Sequence, residues 1–428
     1  MPGTDSKEDP ETFLRDLFAR AVERADPMHC VPAALPPRPS GRVLVVGSGK
    51  ASARMAEAAE RIWGELSGLV ITRYGHSRPT RGIEIVEAAH PVPDTAGCAA
   101  TARILSMLHG LGPDDFVLAL ISGGGSALLV QPAGDITLKQ KQAINTALLA
   151  SGATISEMNT VRKHLSLVKG GQMAGAAYPA RMLALMISDV PGDDPAFIAS
   201  GPTVGDASTP AQARAILAKW RIDVPPSVDA VLNGDTGVLP PDAPQLSAVE
   251  NRVIAAPSQS LQAAAEMATA TGCHVETLGD AIEGEARRVA QDQAARAKTI
   301  AGNMRPGDRP VLLLSGGECT VTRRGDGVGG PNAEFCLALA LALDGAPRIH
   351  ALACDTDGVD GAAEVAGAIV GPDTLRRAAK HGLDAVGMLD RNDAHSFFAM
   401  LGNQVATGPT LTNVNDFRAI LIHPPFAG

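Results

Sequence analysis

Five short stretches carry residues whose types and spacing suit work on an anionic ligand. In Val43-Leu44-Val45-Val46-Gly47-Ser48-Gly49-Lys50 a β-branched run gives way to two glycines and a lysine. Glycines let the chain turn tightly, N–H groups at a helix start attract phosphate, and Lys50 adds a full positive charge. Ser122-Gly123-Gly124-Gly125-Ser126 follows the apolar run Phe116–Ile121. Three successive glycines are costly unless backbone N–H groups must approach a ligand, so this turn is expected to be an anion nest. Ser188-Asp189-Val190-Pro191-Gly192-Asp193-Asp194 places carboxylates after another apolar run. There Asp189 and Asp193 suit Mg²⁺ binding or removal of a proton from a hydroxyl. Ser315-Gly316-Gly317-Glu318 repeats the strand-then-Ser-Gly-Gly form of residues 117–129. Asp355-Thr356-Asp357-Gly358-Val359-Asp360-Gly361 again follows a strand-like run and suits Mg²⁺ or substrate positioning through Asp355 and Asp357. Arg162, Lys163, His164 and Lys169 form either a solvated charged face or an anion clamp, in which Arg162 would grip carboxylate or phosphate with two parallel hydrogen bonds.

Several familiar patterns are missing. The Gly47–Lys50 turn lacks G-x-x-x-x-G-K-[ST] spacing. It is also an incomplete dinucleotide fingerprint: Ser52 stands at the third glycine, and the next strand ends in Thr72 and Arg73, not in an acid that would hold a ribose. D-x-D-G-x-D lacks the terminal Glu of a calcium loop. Neither H-E-x-x-H nor G-x-S-x-G occurs, which leaves zinc hydrolysis and an α/β-hydrolase unsupported. What remains is the equipment of phosphoryl transfer: loops to cradle phosphates, carboxylates for Mg²⁺, and a means of orienting a hydroxyl in line. The residues by themselves do not name the acceptor.

The elements that would position these residues alternate along the chain. Strands are expected at Val43–Val46, Leu69–Ile71, Ile83–Val86, Phe116–Ile121 and Met182–Ile187, with helices between them. Strands apolar at every position are buried on both faces, which implies a parallel sheet between helix layers. Alternation resumes at Val253–Ala255 and continues through Val311–Leu314, Ile349–Ala353 and Ala419–Ile422. The Pro-, Asp- and Gly-rich stretch 222–249 between the two series reads as containing the linker. The expected architecture is α/β in two lobes: a Rossmann-like parallel-sheet domain over residues 1–240 and a smaller α/β domain over 250–428, with an interdomain cleft as the default site. Residues 9–24 read as an amphipathic helix capped by Asp9.

With 428 residues, two domains are the natural expectation. A net charge of −9 argues against a nucleic-acid or anionic-membrane surface. No apolar stretch approaches the ~20 residues that span a bilayer. The first residues, MPGTDSKEDPETF, are too acidic and polar for a signal peptide. The six cysteines show no C-x-x-C spacing, so a reduced, cytoplasmic protein is expected.

Eight pieces in order along the chain carry a resemblance to a known family: GSGKAS (47–52), HPVPD (90–94), ISGGGSALL (121–129), NTVRKHLSLVKGGQMA (159–174), SDVPGDDPAFIASGPTV (188–204), LSGGECTV (314–321), DTDGVDG (355–361) and TGPTLTNVND (407–416). The chain resembles the glycerate 2-kinases, a family that also carries a hydroxypyruvate-reductase label. The resemblance implies transfer of phosphate from ATP, with Mg²⁺, to the 2-hydroxyl of D-glycerate. It implies Lys50 as a catalytic lysine. It also implies Ser122–Ser126, Asp189, Glu318 and Asp355 as nucleotide, metal or substrate contacts. Gly47, Ser48 and Gly49 with Gly316 and Gly317 join the expected nucleotide set, and Asp357 the expected metal set. The family commonly shows Gly-Gly-Arg-Asn-Gln-Glu-Phe where this chain has Gly329-Gly330-Pro331-Asn332-Ala333-Glu334-Phe335, so either Arg324 or Arg162 supplies the missing charge, or the acceptor or the rate differs. The partners implied are small molecules, and a homodimer is compatible with them. The competing reading is an NAD(P)H-dependent hydroxypyruvate reductase.

Overall fold

Every position of Val43–Ser48 (β1) and of Phe116–Ser122 (β4) is buried, as expected for strands covered on both faces. They are the centre of a six-stranded sheet with Ser67–Arg73 (β2), Ile83–Ala88 (β3), Arg181–Ile187 (β5) and Val249–Ala255 (β6). Its order is β3-β2-β1-β4-β5-β6, and all five pairings are parallel. Strand order reverses between β1 and β4, so their C-terminal ends flank the switch point at which open α/β sheets bind ligands. This computed structural model describes residues 9–361 and 363–426.

Two helices from the β4–β5 connection matter for the site. Leu138–Ser151 and Ile155–His164 each begin with a capping box, Thr137 with Gln140 and Thr154 with Glu157, which satisfies their first N–H groups and fixes where they start. Ile144, Leu148 and Val161 from these helices pack with Ala213, Leu217, Val228 and Leu232 in a small core beside the sheet.

That packing corrects the expected linker. Within 222–249, Pro226–Leu232 is a helix with proline at its first position, and Val228 and Leu232 are buried. Proline there costs nothing, because the N–H it lacks would be unpaired anyway. Val253–Ala255, expected to open the second lobe, instead belongs to β6 and pairs with β5. The described chain forms two compact units, Pro27–Ala255 and the described part of Met1–Asp26 together with Ala256–Gly428. Helix Pro10–Arg24, with the expected Asp9 cap, therefore belongs to the second unit. Its stripe Phe13, Leu14, Leu17, Phe18 and Ala21 is buried with Leu261, Leu312 and Phe417.

The second unit holds His274–Thr277 (β7), a two-strand pair of Gly284–Glu285 (β8) with Cys319–Thr320 (β10), and Val311–Gly317 (β9). It also holds Ile349–Asp355 (β11), Gly367–Val370 (β12), Gln404–Val405 (β13) and Asp416–Ile422 (β14). The main sheet runs β13-β12-β11-β14-β9-β7. Only β7 and β9 pair in parallel there, so this sheet is mixed, unlike the first. Helix Pro331–Leu343 is apolar nearly all round, and its Phe335, Leu337 and Leu339 lie in the core beside this sheet.

Candidate active site

At the switch point the chain leaves β1 through Gly49, whose φ of +145° is a backbone state that side-chain-bearing residues rarely adopt. A Cβ there would lie 2.1 Å from Ser122 Oγ and 2.5 Å from the Ser122 carbonyl oxygen. The turn is locked to its neighbours. The N–H of Gly49 donates to Ile71 O (3.1 Å), that of Lys50 to Gly123 O (2.9 Å) and that of Ser52 to Gly49 O (3.2 Å). Ala51 N–H donates to Ser122 Oγ (3.0 Å) and Thr72 Oγ1–H to Gly49 O (3.1 Å). The N–H groups expected to greet a phosphate at Gly49 and Lys50 are therefore used inside the protein. The glycines of this turn serve close packing, and helix Ser52–Trp63 starts only after Lys50. What the turn offers a ligand is the Lys50 side chain.

The Ser122–Ser126 turn differs from it in its backbone donors. Gly124 has φ +79° and precedes the short helix Gly125–Leu128. Among the described residues, the N–H groups of Gly123, Gly124, Gly125 and Ser126 donate to no protein acceptor. The turn is held from behind: Ser126 Oγ lies 2.8 Å from Ser200 Oγ, and Ser200 Oγ–H donates to Asn159 Oδ1 (3.0 Å). A Cβ on Gly124 would come within 3.1 Å of both His90 Nε2 and Lys50 Cγ, so the Lys50 side chain crosses this turn.

Gly124 and Ser126 line a pocket of about 290 Å³ within Pro27–Ala255. Three basic side chains line it as well: Lys141, Arg162 and Lys169. Lys169 is fully buried, and its Nζ donates to Ser126 O (2.9 Å) and Ala199 O (3.3 Å). Burial, with Lys141, Arg162 and Lys163 nearby, holds its pKa well below the ordinary lysine range. Lys141 Nζ donates to Leu165 O (2.8 Å), and burial, helped by Arg162, lowers its pKa to about 7. Arg162 Nε donates to Asn145 Oδ1 (2.7 Å), and burial lowers its pKa too. The basic cluster read from the sequence thus divides. Lys163 pairs with Asp206, and His164 meets Thr236 Oγ1 (2.6 Å) and Ser208 Oγ (3.1 Å), while Arg162 and Lys169 serve the pocket. Lys141 went unnoticed, although it sits three and seven residues before Ile144 and Leu148 on the buried face of its helix.

Asp189 follows the buried Ser188 just beyond β5, half-buried. Asp193 has φ +56°, and its Oδ1 is buried with no hydrogen-bond partner among the described residues. Ala199 (φ +52°) and Ser200 (φ +62°) continue this loop in left-handed conformations. Such strain persists where surrounding structure enforces it, often at functional sites. Here the Ala199 Cβ would stand 2.7 Å from a Cβ on Gly125, which ties the loop to the nest.

The expected residues of the second unit fall into two groups. Register places Gly317 opposite Asp416, and Asp416 opposite Asp355, so neighbouring strand ends β9, β14 and β11 carry all three. Gly316 and Gly317 do not form a nest. Gly316 N–H donates to Gly279 O (2.8 Å), and a Cβ on Gly317 would lie 2.3 Å from Ile282 N, so both are glycines because residues 279–282 cross over them. Glu318 and Arg324 are exposed, and the backbone N–H of Arg324 donates to Asn392 Oδ1 (2.7 Å). Asp357 is buried, accepts from Val359 N–H (2.8 Å), and donates through its own N–H to Asp355 Oδ1 (2.9 Å). Pro331 takes the first position of helix Pro331–Leu343. Asp360 accepts from the N–H groups of Asn332 (3.0 Å) and Ala333 (2.8 Å) and meets His395 Nε2 at 2.9 Å, so its role is to cap this helix start. Among the described residues no three His, Cys, Asp or Glu side chains converge as a metal-ligand group. That is compatible with Mg²⁺, which usually takes one or two carboxylates and completes its shell with water and phosphate oxygens.

Comparison with known proteins places this geometry. Residues 13–233 match the family described as a domain of unknown function, DUF4147, and residues 311–416 match the MOFRL family. A D-glycerate 2-kinase of Thermotoga maritima is 38% identical over 420 residues, which cover 97% of this chain and 99% of that protein. The chain belongs to the glycerate kinase family. The crystal structure of a glycerate kinase from Thermotoga maritima matches with a TM-score of 0.87, over 97% of this chain and all of that one. A family relative in Agrobacterium vitis, 53% identical over 413 residues (96% of this chain and 94% of the relative), is provisionally named a hydroxypyruvate reductase. In this glycerate kinase family member no helix among the described residues is long and apolar enough to cross a membrane.

Proposed function

We propose that this protein phosphorylates D-glycerate at its 2-hydroxyl with ATP, giving 2-phosphoglycerate and ADP in the cytoplasm. The observation that carries the reading is the Gly123–Ser126 turn. Four N–H groups without a protein acceptor among the described residues lie at the sheet's switch point, and the Lys50 side chain crosses the same turn. Oriented N–H groups and a lysine suit phosphate oxygens, on which negative charge is carried through the transfer. The Thermotoga maritima relative is named for the same activity.

In this reading the nest holds ATP phosphates and Lys50 stabilises charge on the γ-phosphoryl group. The 2-hydroxyl oxygen forms a bond to the γ-phosphorus as the bond from that phosphorus to the β–γ bridging oxygen breaks, and ADP leaves. Asp189 or Asp193 takes the hydroxyl proton. Magnesium bound with the phosphates would neutralise part of their charge, and Asp189 is the carboxylate of the same unit suited to hold it. Arg162 lines the nest's pocket, and in this reading it supplies the charge missing at Pro331.

The reductase reading is less favoured by the same switch point. β2 ends in Thr72 and Arg73, with no acid to hold a dinucleotide ribose, and the Thr72 hydroxyl is spent on Gly49 O. The test is ADP release from Mg-ATP on addition of D-glycerate, with the product resolved by phosphorus NMR. A 2-phosphate product is expected. A 3-phosphate product would refute the regiochemistry, and no ADP would refute the kinase.

A further inference from the structure

Lys141 is a lysine that the proposed phosphoryl transfer does not use. It lines the pocket of about 290 Å³ within the first unit and is 9% exposed. Among the described residues its Nζ makes one hydrogen bond, to Leu165 O (2.8 Å), and has no carboxylate partner. Ile144, Leu148, Leu149, Val161 and Leu165 give the pocket an apolar wall. An ordinary lysine is an ammonium at neutral pH, with no lone pair to offer. Burial, helped by the Arg162 charge, brings Lys141 down to about 7, so about half of it is free amine at that pH. Desolvation and a neighbouring cation are the two devices that turn a lysine into a nucleophile toward carbonyl carbon. Burial lowers Lys169 as well, but Lys169 is fully buried and its Nζ is bonded to both Ser126 O (2.9 Å) and Ala199 O (3.3 Å). Of the two, Lys141 keeps access to the pocket.

Arg162 supplies a recognition element in the same pocket. Its Nε donates to Asn145 Oδ1 (2.7 Å), and among the described residues its two terminal nitrogens have no protein acceptor. Two parallel N–H donors match the two oxygens of a carboxylate. We propose that the pocket captures a small 2-oxo acid as an imine on Lys141 Nζ, with the carboxylate of the acid held by Arg162. The amine lone pair attacks the 2-carbonyl carbon, the carbonyl oxygen leaves as water carrying the two amine protons, and a C=N bond replaces the C=O bond. Once protonated, the imine keeps one N–H to donate to Leu165 O. The capture needs neither ATP nor phosphoryl transfer, so it goes beyond the kinase reading.

The test is reductive trapping on the full chain without nucleotide. Hydroxypyruvate is added with cyanoborohydride, which reduces an imine to a stable secondary amine, and the modified peptide is located by mass spectrometry. A single adduct, on Lys141, is expected. Hydroxyacetone has the carbonyl but no carboxylate, and it should need about 10–100-fold higher concentration, the range of hydrogen bonds to a charged group. Arg162→Gln should erase that difference. Lys141→Met should abolish the adduct, and it orphans no acceptor, since Leu165 O also accepts from Ala133 N–H (3.3 Å).

A pH series adds an independent readout. Only the free amine attacks, so the adduct should increase as pH rises through about 7, whereas exposed lysines need a far higher pH. The charged and titratable groups around Lys141 are Arg162, Lys169, Cys98 and His90. Mapping on the wild-type protein decides the outcome even if Lys141→Met fails to fold. No adduct, an adduct on Lys50 or adducts scattered over exposed lysines would overturn the proposal, and so would equal capture of hydroxyacetone. None of these results bears on ATP-dependent phosphorylation, which ADP release reads separately.

Discussion

Lys50→Ala should lower kcat for ATP-dependent glycerate phosphorylation by about 10²–10³-fold, the usual cost of losing one preorganised group that stabilises transition-state charge. The size of the effect follows from placement. The backbone of Lys50 is fixed by its own N–H bond to Gly123 O (2.9 Å) and by Thr72, whose hydroxyl holds Gly49 O (3.1 Å). The side chain then passes over Gly124, beside N–H groups that have no protein acceptor among the described residues. A lysine anchored in this way has little freedom to lose when the reacting phosphoryl group arrives, so its charge acts mainly in the transition state. The KM for D-glycerate should move far less than kcat. The backbone bonds of residue 50 survive the substitution, so circular dichroism and melting temperature should stay close to those of the wild type. Unchanged turnover would remove Lys50 from the chemistry.

Gly49→Ala should destabilise the protein by about 2–4 kcal/mol, read from urea unfolding, because it meets two separate penalties. The backbone sits at φ +145°, and the new Cβ would be forced to 2.1 Å from Ser122 Oγ. Relief requires β1 and β4 to move apart where Ala51 N–H reaches Ser122 Oγ (3.0 Å), which would also misplace the nest. Gly110→Ala is the matched control. Gly110 has φ +84° but open space around its Cβ position, so it pays only the backbone penalty, about 1 kcal/mol. Equal losses at the two sites would show that the close approach of β1 to β4 carries no energetic weight.

The first sheet was readable because β1, β4 and β5 are apolar at consecutive positions, a pattern that only a strand buried on both faces explains. The affiliation of β6 was not. Pro225 and Pro226 looked like linker residues, whereas they open a helix whose Val228 and Leu232 join the core of the first unit. The amphipathic stripe of Pro10–Arg24 was visible, yet its partners Leu261, Leu312 and Phe417 are hundreds of residues away, and no local signal names them. The same limit applied within the site. Gly47–Lys50 and Ser122–Ser126 look alike as glycine loops, but hydrogen-bond accounting separates them: the first spends its N–H groups on β2 and β4, and the second keeps its own. Gly316 and Gly317 repeat the Ser-Gly-Gly wording for a different reason, the crossing of residues 279–282. Lys141 was legible in principle, as a lysine in phase with Ile144 and Leu148. A charge on the buried face of a helix points to a pocket or a partner before it points to a flaw in the pattern.

The most direct test of the central claim is a paired assay on one purified preparation. One arm follows ADP formation from Mg-ATP with D-glycerate, and the other follows NADH and NADPH oxidation with hydroxypyruvate. The account predicts ADP and 2-phosphoglycerate in the first arm and no nicotinamide oxidation in the second. Nicotinamide oxidation without ADP formation would contradict it, and would mean that the turn of Gly123–Ser126 and Lys50 serves a dinucleotide and not a phosphoryl donor.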